Sequence, residues 1–340
     1  MWDLSADPPT KNTATKALLP MPSPDRPLVS FVLLAYNQEA IIREAVEGSF
    51  SQTYSPLEII LSDDCSKDRT FEIIQEMAAT YHGPHKIVLN RNPKNLGIGQ
   101  HYSRIMELAS GEIVELAAGD DISLPWRTTD SVSVFQQNPE LTCVAMALQH
   151  FTDSANKHQV LRAEIKISAI YRLGDFIKKP DVFFVNAPGR AFRKFTHDCY
   201  GPLIAECPVE DGSNLFRCLL HGAVARCDNI GVLYRWNGQN VSYPANFSKI
   251  PLSGIWSDYL ASATMAFRLG HIDDTTHQKL TTVFHTLREN SLLLEELRID
   301  GFAFHPIMRL LSSPHYSSNQ KIKLLGKLML RSLGVNRWKF

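Results

Sequence analysis

The chain lacks long apolar runs. None of its 340 residues falls in a stretch approaching the ~20 apolar residues of a membrane-spanning helix. Residues 1–25 are polar and Pro-rich where a secretory leader would need an apolar core. An excess of charge is also missing: 35 Lys and Arg balance 35 Asp and Glu, so bulk charge selects no partner. With no basic groove motif and no aromatic RNA-binding signature, nucleic acid is excluded as a substrate. The six cysteines (Cys65, Cys143, Cys199, Cys207, Cys218, Cys227) form no CxxC pair and no zinc spacing with His. They read as reduced thiols of a cytosolic protein, which makes the sequons at Asn240 and Asn246 chance matches. There is no Walker loop, GxSxG or HExxH. Gly97-Ile98-Gly99 lacks the third glycine of a dinucleotide fingerprint, and nothing like that fingerprint follows the first strand, which disfavours a nicotinamide dehydrogenase.

What the chain does have is a β-α-β-α alternation. Residues 1–26, with five prolines, read as a flexible tail. Strands are expected at Leu28–Ala35, Glu58–Ser62, Lys86–Asn90 and Glu112–Ala117. Helices are expected at 39–52, after Asp68 as N-cap, and from Gly97 to Ala109. This order implies a parallel sheet with right-handed crossovers. Beyond Asp121 the pattern predicts a helix over 126–137 and extended chain at 141–151 and 157–167. A short helix is expected at 171–179 and helical spacing over 188–200. A helix at 211–221 follows, then a hairpin from Val224–Asp228 and Val232–Arg235. Residues 253–300 read as purely helical.

Acidic pairs stand at functional places in this pattern. Asp63-Asp64 follow a buried strand in EIILSDDCSKDRT, where a carboxylate either caps the next helix or accepts hydrogen bonds from a nucleobase or ribose. Asp120-Asp121 end EIVELAAGDD. Adjacent carboxylates repel, so this turn suits a hard cation bridged to diphosphate oxygens, Mg²⁺ or Mn²⁺, or else a solvated loop. Glu210-Asp211 open a helix in VEDGSNLFRCLLHG, as an N-cap or as a general base near an acceptor hydroxyl.

Together these segments resemble family 2 glycosyltransferases of the inverting, GT-A type. The resemblance runs from PLVSFVLLAYNQEAIIREAVEGSFSQTYSPLEIILSDDCSKDRT through NLGIGQHYSRIMELASGEIVELAAGDDISLP. It resumes at VEDGSNLFRCLLHG and YRWNGQNVS, and so spans residues 27–243. It implies an α/β GT-A nucleotide-diphospho-sugar transferase fold over 27–245, a mostly parallel central sheet with flanking helices. Residues 27–130 would form the nucleotide half and 131–245 the acceptor half. Residues 246–340 would be a helical extension. Ala35, Tyr36, Asn37, Glu39, Asp63, Asp64 and Asp120 would line the nucleotide. Asp121, with Asp120, would hold Mn²⁺ or Mg²⁺, and Asp211 would be the catalytic base. Glu210, Arg190, Arg217 and Arg235 would stand near phosphate or acceptor. Two positions depart from the family pattern: Ala118 replaces a common Asp of the metal turn, and Asn237 replaces a His that approaches the metal.

The implied activity is transfer of a sugar, with UDP as the default carrier, to a hydroxyl of a saccharide or lipid-linked saccharide. This suits bacterial surface polysaccharide synthesis in the cytoplasm or at the inner face of its membrane. A catalytically silent nucleotide-sugar-binding scaffold and a sugar-nucleotide pyrophosphorylase are the alternatives. The second would need a Gly-rich basic loop where this chain has AYNQEAII. Residues 150–208 would shape the acceptor pocket, with Phe183, Phe184, Arg190 and Phe192 as candidates for its lining. From His305 to Phe340 there is no acidic residue, while Lys and Arg flank Leu-rich turns. Residues 316–340 therefore read either as a membrane-surface helix or as a helix packed on protein.

Overall fold

The computed structural model describes residues 26–152, 160–179, 187–236, 249–300, 304–313 and 319–325. The expectations for residues 1–25, Phe183, Phe184, Asn237, the two sequons, 316–318 and 326–340 lie outside them.

Four strands form the first half: β1 (Val29–Ala35), β2 (Leu57–Asp63), β3 (Lys86–Arg91) and β4 (Ile113–Ala118). They lie parallel in the order β3-β2-β1-β4. The intervening helices are α1 (Ile42–Phe50), α2 (Thr70–Ala79) and α3 (Ile98–Leu108). Gly97 precedes α3 with φ of 76°, a left-handed conformation that favours glycine. The sheet continues through β8 (Arg190–Arg193), β6 (Leu141–Phe151), β9 (Ala223–Arg235) and β5 (Ile122–Ser123), and β7 (Ile167–Tyr171) pairs with β9. Here β8 runs antiparallel to both β4 and β6, so the sheet is mixed.

Side chains alternate across the strands and divide the core in two. Val32 and Ile60 face α3, α7 (Asp211–His221), α8 (Leu252–Arg268) and α9 (Asp274–Asp300), where Tyr102, Phe216, Tyr259 and Phe284 are buried. Phe31, Leu33, Ile59 and Leu61 face α1, α2 and α4 (Arg127–Gln137). Completely burying a side chain such as Phe216 contributes roughly 1.5–3 kcal/mol. A smaller cluster of Leu293, Leu297 and Leu310 joins α9 to α10 (Phe304–Ser312), with Leu324 and Leu325 packed on it.

Three sequence expectations are corrected. Residues 188–200 are not helical throughout: a 3₁₀ turn, strand β8 and the short helix α6 (Phe195–Asp198) succeed one another. The hairpin of 224–235 is one long strand, because contacts from the 124–130 segment hold its middle extended. Leu124 donates to the Gly231 carbonyl, the Trp126 indole to the Ile230 carbonyl, and Asn229 to Asp130. Within 157–167 the described residues 160–166 are irregular, and β7 begins only at Ile167. The short helix α5 (Leu173–Lys178) forms as expected, and the helical 253–300 region divides into α8 and α9.

At the α7–α8 junction the Tyr200 hydroxyl lies 2.9 Å from His221 Nε2, and the His221 and His271 rings are 4.5 Å apart. Burial, then His271, lowers the His221 pKa to about 4. The native state thus binds this proton less tightly than the unfolded chain. The stability involved is complete above the ordinary His value of about 6.5 and is lost as pH falls toward 4. Urea midpoints measured between about pH 7 and pH 5 should fall with pH, and His221→Gln should flatten that slope.

Candidate active site

The carboxyl ends of β1, β2 and β4 are level. Ala35 pairs with Asp63, and Leu34 pairs with Ala118. The Gly119 N–H donates to the Leu34 carbonyl, which sets the Gly119–Asp121 turn beside the β1 loop. Loop and loop are cross-linked. Asn37, at φ 51°, donates its N–H to Ser66 Oγ, and its side-chain oxygen accepts from the Lys67 N–H. The Glu39 N–H donates to Asp68 at 3.0 Å, and the Glu39 carboxylate accepts the Arg69 N–H at 2.9 Å. Asp68 lies one residue before the helical N-cap, yet its carboxylate accepts both the N–H and the hydroxyl of Thr70. Burial works against this charge, but these bonds and that from Glu39 prevail and hold its pKa down. Tyr36 remains exposed at the rim.

Asp63 and Asp64 are both buried and both engaged. Asp63 accepts from the Ser66 N–H and hydroxyl and lies 3.5 Å from the Arg91 guanidinium. Asp64 accepts from Asn92, from the Leu96 N–H and from the Gly97 N–H, at 2.8–2.9 Å. The two aspartates therefore tie the loop after β2 to the end of β3 and to the start of α3. Arg91, half-exposed at the end of β3, is a cation that sequence reasoning passed over; its signal was its place just beyond a predicted strand.

Asp121 is 4% exposed. Its Oδ1 accepts the Arg235 N–H at 2.9 Å, whereas its Oδ2 has no hydrogen-bond partner among the described residues. Burial first, and the Asp120 charge second, push its pKa well above the usual carboxylate range. Arg235 also donates from Nε to the Asp120 carbonyl, pairs with Glu44 at 3.3 Å and stacks over Phe151. An orphaned, desolvated carboxylate oxygen beside a second carboxylate fits a divalent cation, with the remaining ligands drawn from a diphosphate. No cluster of three or more His, Cys, Asp or Glu forms a ready metal cage among the described residues. Ala118 ends β4 and offers no oxygen side chain there.

The Glu210-Asp211 pair is tied to this edge from two sides. The first turn of α3 bridges the loops: the Gly97 N–H reaches Asp64, and the Gly99 N–H reaches the Pro208 carbonyl at 3.2 Å. On the other side, Arg190 of β8 donates to the Asp211 carbonyl at 2.5 Å. The Arg190 carbonyl in turn accepts from Arg127 at 3.4 Å. Arg127 is fully buried, forms a 2.9 Å ion pair with Glu115 and donates to Ser123, close behind the Asp121 turn. Burial, then the adjacent Asp211 charge and a hydrogen bond shared with it, raise the Glu210 pKa well above normal. Asp211 stands beside it at the first position of α7.

Arg217 lies apart. It is buried between α7 and α8, donating to Gly201 and Ser262 and pairing with Asp258 at 3.3 Å. Phe192 is fully buried core rather than pocket lining. Helix α8 packs close against the start of α7 and the loop before it: a Cβ on Gly212 would collide with the Tyr259 hydroxyl, and one on Gly254 with the Glu206 carbonyl.

The chain is similar to several known proteins. The chain is 30% identical over 127 residues to the putative glycosyltransferase EpsE of Bacillus subtilis, covering 37% of this chain and 45% of that protein. It is 32% identical over 102 residues to the Escherichia coli glucosyltransferase WfaP, named as acting on GlcNAc-diphosphoundecaprenol, covering 30% and 38% of the two chains. The chain thus spans less than half the length of these curated relatives. S. aureus TarS 1–349 with UDP-GlcNAc superposes with a TM-score of 0.53 at 17% identity, covering 91% of this chain and 93% of that one. A Pyrobaculum calidifontis mannosyltransferase with GDP-Man and Mn²⁺ gives 0.51 at 14%, covering 93% and 90%. These likenesses show the fold, a GT-A-like α/β sheet with C-terminal helices. The sequence model of glycosyl transferase family 2 matches residues 30–201, slightly more than half of the chain. That match sets aside the pyrophosphorylase alternative. The chain belongs to glycosyl transferase family 2.

Proposed function

We propose that this chain is an inverting transferase that moves a sugar from a nucleoside-diphosphate donor to a saccharide hydroxyl. The observation that carries the reading is the placing of the adjacent carboxyls of Glu210 and Asp211, held through Arg190 and the first turn of α3, at the sheet edge that carries the Asp121 turn with its orphaned carboxylate oxygen. Asp211 accepts the proton of the acceptor hydroxyl. That oxygen forms its bond to the anomeric carbon from the face opposite the donor diphosphate. The bond from the anomeric carbon to the diphosphate breaks, and configuration inverts. Arg190 holds the Asp211 backbone in place during this proton transfer. Asp121 and Asp120 would hold Mn²⁺ or Mg²⁺. Such an ion, when bound, supplies positive charge to the leaving diphosphate. Tyr36 and the loop of Asn37 and Glu39 line the nucleotide side, with Asp63 and Asp64 as its wall.

UDP is the favoured carrier, since TarS is a neighbour with UDP and UDP-GlcNAc bound, and GDP is the alternative that the mannosyltransferase represents. A lipid-linked saccharide acceptor in surface polysaccharide synthesis follows the example of WfaP. Work at the cytoplasmic membrane face follows from such an acceptor. No helix of the described residues is long and apolar enough to cross a membrane.

Calorimetric titration with UDP, dTDP and GDP, each with Mn²⁺ and with EDTA, tests the reading. Expected is binding of UDP that strengthens with Mn²⁺. Folded protein that binds none of the three would overturn it.

A further inference from the structure

The Asp120-Asp121 turn is braced by a buried cation. Arg235, at the end of β9, is held there from three sides. Its guanidinium lies 4.5 Å over the ring of Phe151, its register partner on β6. Its Nε donates to the Asp120 carbonyl at 3.0 Å, and its Nη2 lies 3.3 Å from the Glu44 carboxylate of α1. The backbone N–H of the same residue donates to Asp121 Oδ1. The guanidinium thus bonds the Asp120 backbone, while Asp121 Oδ2 accepts no hydrogen bond among the described residues.

Glu44 does more here than its helix requires. It stands in the first turn of α1, where an acid is favourable even when it points to solvent. Its neighbours on α1 do point outward: Glu47 is exposed, and Arg43 pairs with Glu76 at the surface. The Glu44 side chain is instead 24% exposed and meets a guanidinium that is 7% exposed. Solvent and salt screen such sheltered charges weakly, so both are felt at the turn. Behind the turn, Arg127 has its own counter-charge in Glu115 at 2.9 Å. Three acidic residues, Glu44, Asp120 and Asp121, are therefore joined to the one cationic residue Arg235. The balance is two negative charges, the complement of a divalent cation.

We propose that Glu44 is a positioning residue for the cation: it holds the Arg235 guanidinium away from the orphaned Asp121 oxygen and offsets its charge, which leaves the turn open to Mn²⁺ or Mg²⁺. Without Glu44, Arg235 carries an uncompensated positive charge beside the turn. It also presents a fork of donors matched to a carboxylate, and so competes with the metal for Asp121. Glu44 acts through Arg235, and its role is one of charge. The inference rests on the assignment of the cation to Asp120 and Asp121 in the proposed function.

The experiment is calorimetric titration of Mn²⁺ into the full chain with saturating UDP, with circular dichroism to check folding. The proteins compared are the wild type, Glu44→Gln, Glu44→Gln combined with Arg235→Gln, and Asp121→Asn. Glutamine keeps the length of Glu44 and an acceptor oxygen, and removes its charge. Expected for Glu44→Gln is Mn²⁺ affinity lowered about 10–100-fold, with UDP affinity in EDTA unchanged. In the double variant most of the lost affinity should return, because the competing guanidinium is gone. Glu44→Gln with wild-type Mn²⁺ affinity, an equal loss of UDP affinity in EDTA, or a double variant as weak as the single would overturn the proposal. If the double variant does not fold, the single variant decides. Asp121→Asn separates this role from the reading beneath it. Mn²⁺ binding that survives Asp121→Asn, or a wild type that binds no Mn²⁺ with UDP, would overturn the cation assignment and the role together. Binding lost in Asp121→Asn but undiminished in Glu44→Gln would overturn the role of Glu44 alone.

Discussion

Replacing Asp211 by Asn is expected to leave a folded protein that binds its donor but transfers sugar about 10²–10⁴-fold more slowly. The amide keeps the size of the carboxylate and keeps α7 in place, because the contacts that fix this position use the backbone. Arg190 donates to the Asp211 carbonyl, and the Asn214 N–H reaches the Glu210 carbonyl at 2.8 Å. What the substitution removes is the proton acceptor. The variant also dissolves the carboxyl pair, so Glu210 loses the nearby charge that raised its pKa. Donor affinity, read by titration, should stay near wild type while turnover falls, the signature of an interaction made in the transition state. Wild-type-like turnover would remove Asp211 from the mechanism.

The strands and acidic pairs were legible for one physical reason. A parallel strand covered on both faces reads as an unbroken apolar run, and a polar residue directly after such a run marks the sheet edge where ligands gather. Phe31 to Ala35 and Ile59 to Leu61 have this pattern, so β1 and β2 fell within a residue or two of their expected ends. Strand β8 has no such pattern. Its four residues Arg190–Arg193 include two arginines, and both are satisfied by distant chain: Arg190 by Asp211, Arg193 by the Leu141 carbonyl and the Phe135 ring. The spacing of Arg190, Arg193 and Lys194 mimics a helix face, and only tertiary partners make it a strand. The same holds for the site. The acids were visible locally, but Arg127, Arg91 and Glu44, which position or balance them, act across long sequence separations. Arg217, placed by resemblance near phosphate, has its guanidinium occupied by Asp258, a partner 41 residues away.

Asp121→Asn should separate stability from activity. In the metal-free protein the wild-type carboxylate is buried, beside Asp120, with one oxygen unpartnered, so its charge is a liability. Asparagine retains an oxygen for the Arg235 N–H and removes the charge. The metal-free variant should therefore be more stable by about 1 kcal/mol near neutral pH. The sign follows from the raised native pKa. The native state holds this proton more tightly than the unfolded chain, so wild-type stability declines as pH rises above the ordinary Asp value of about 3.9, and the variant lacks that decline. With Mn²⁺ and UDP the order should reverse, since ligands that bind only the native state raise the wild-type melting temperature and not that of the variant. Transfer should fall about 10²–10³-fold, the size of effect seen when one electrostatic stabiliser of a developing charge is removed. Thermal melts of both proteins, with and without Mn²⁺ and UDP, give the decisive comparison. A variant that still gains stability from Mn²⁺ with UDP would show that the cation is held elsewhere, and one less stable than wild type without metal would show that the Asp121 charge is compensated in the native fold.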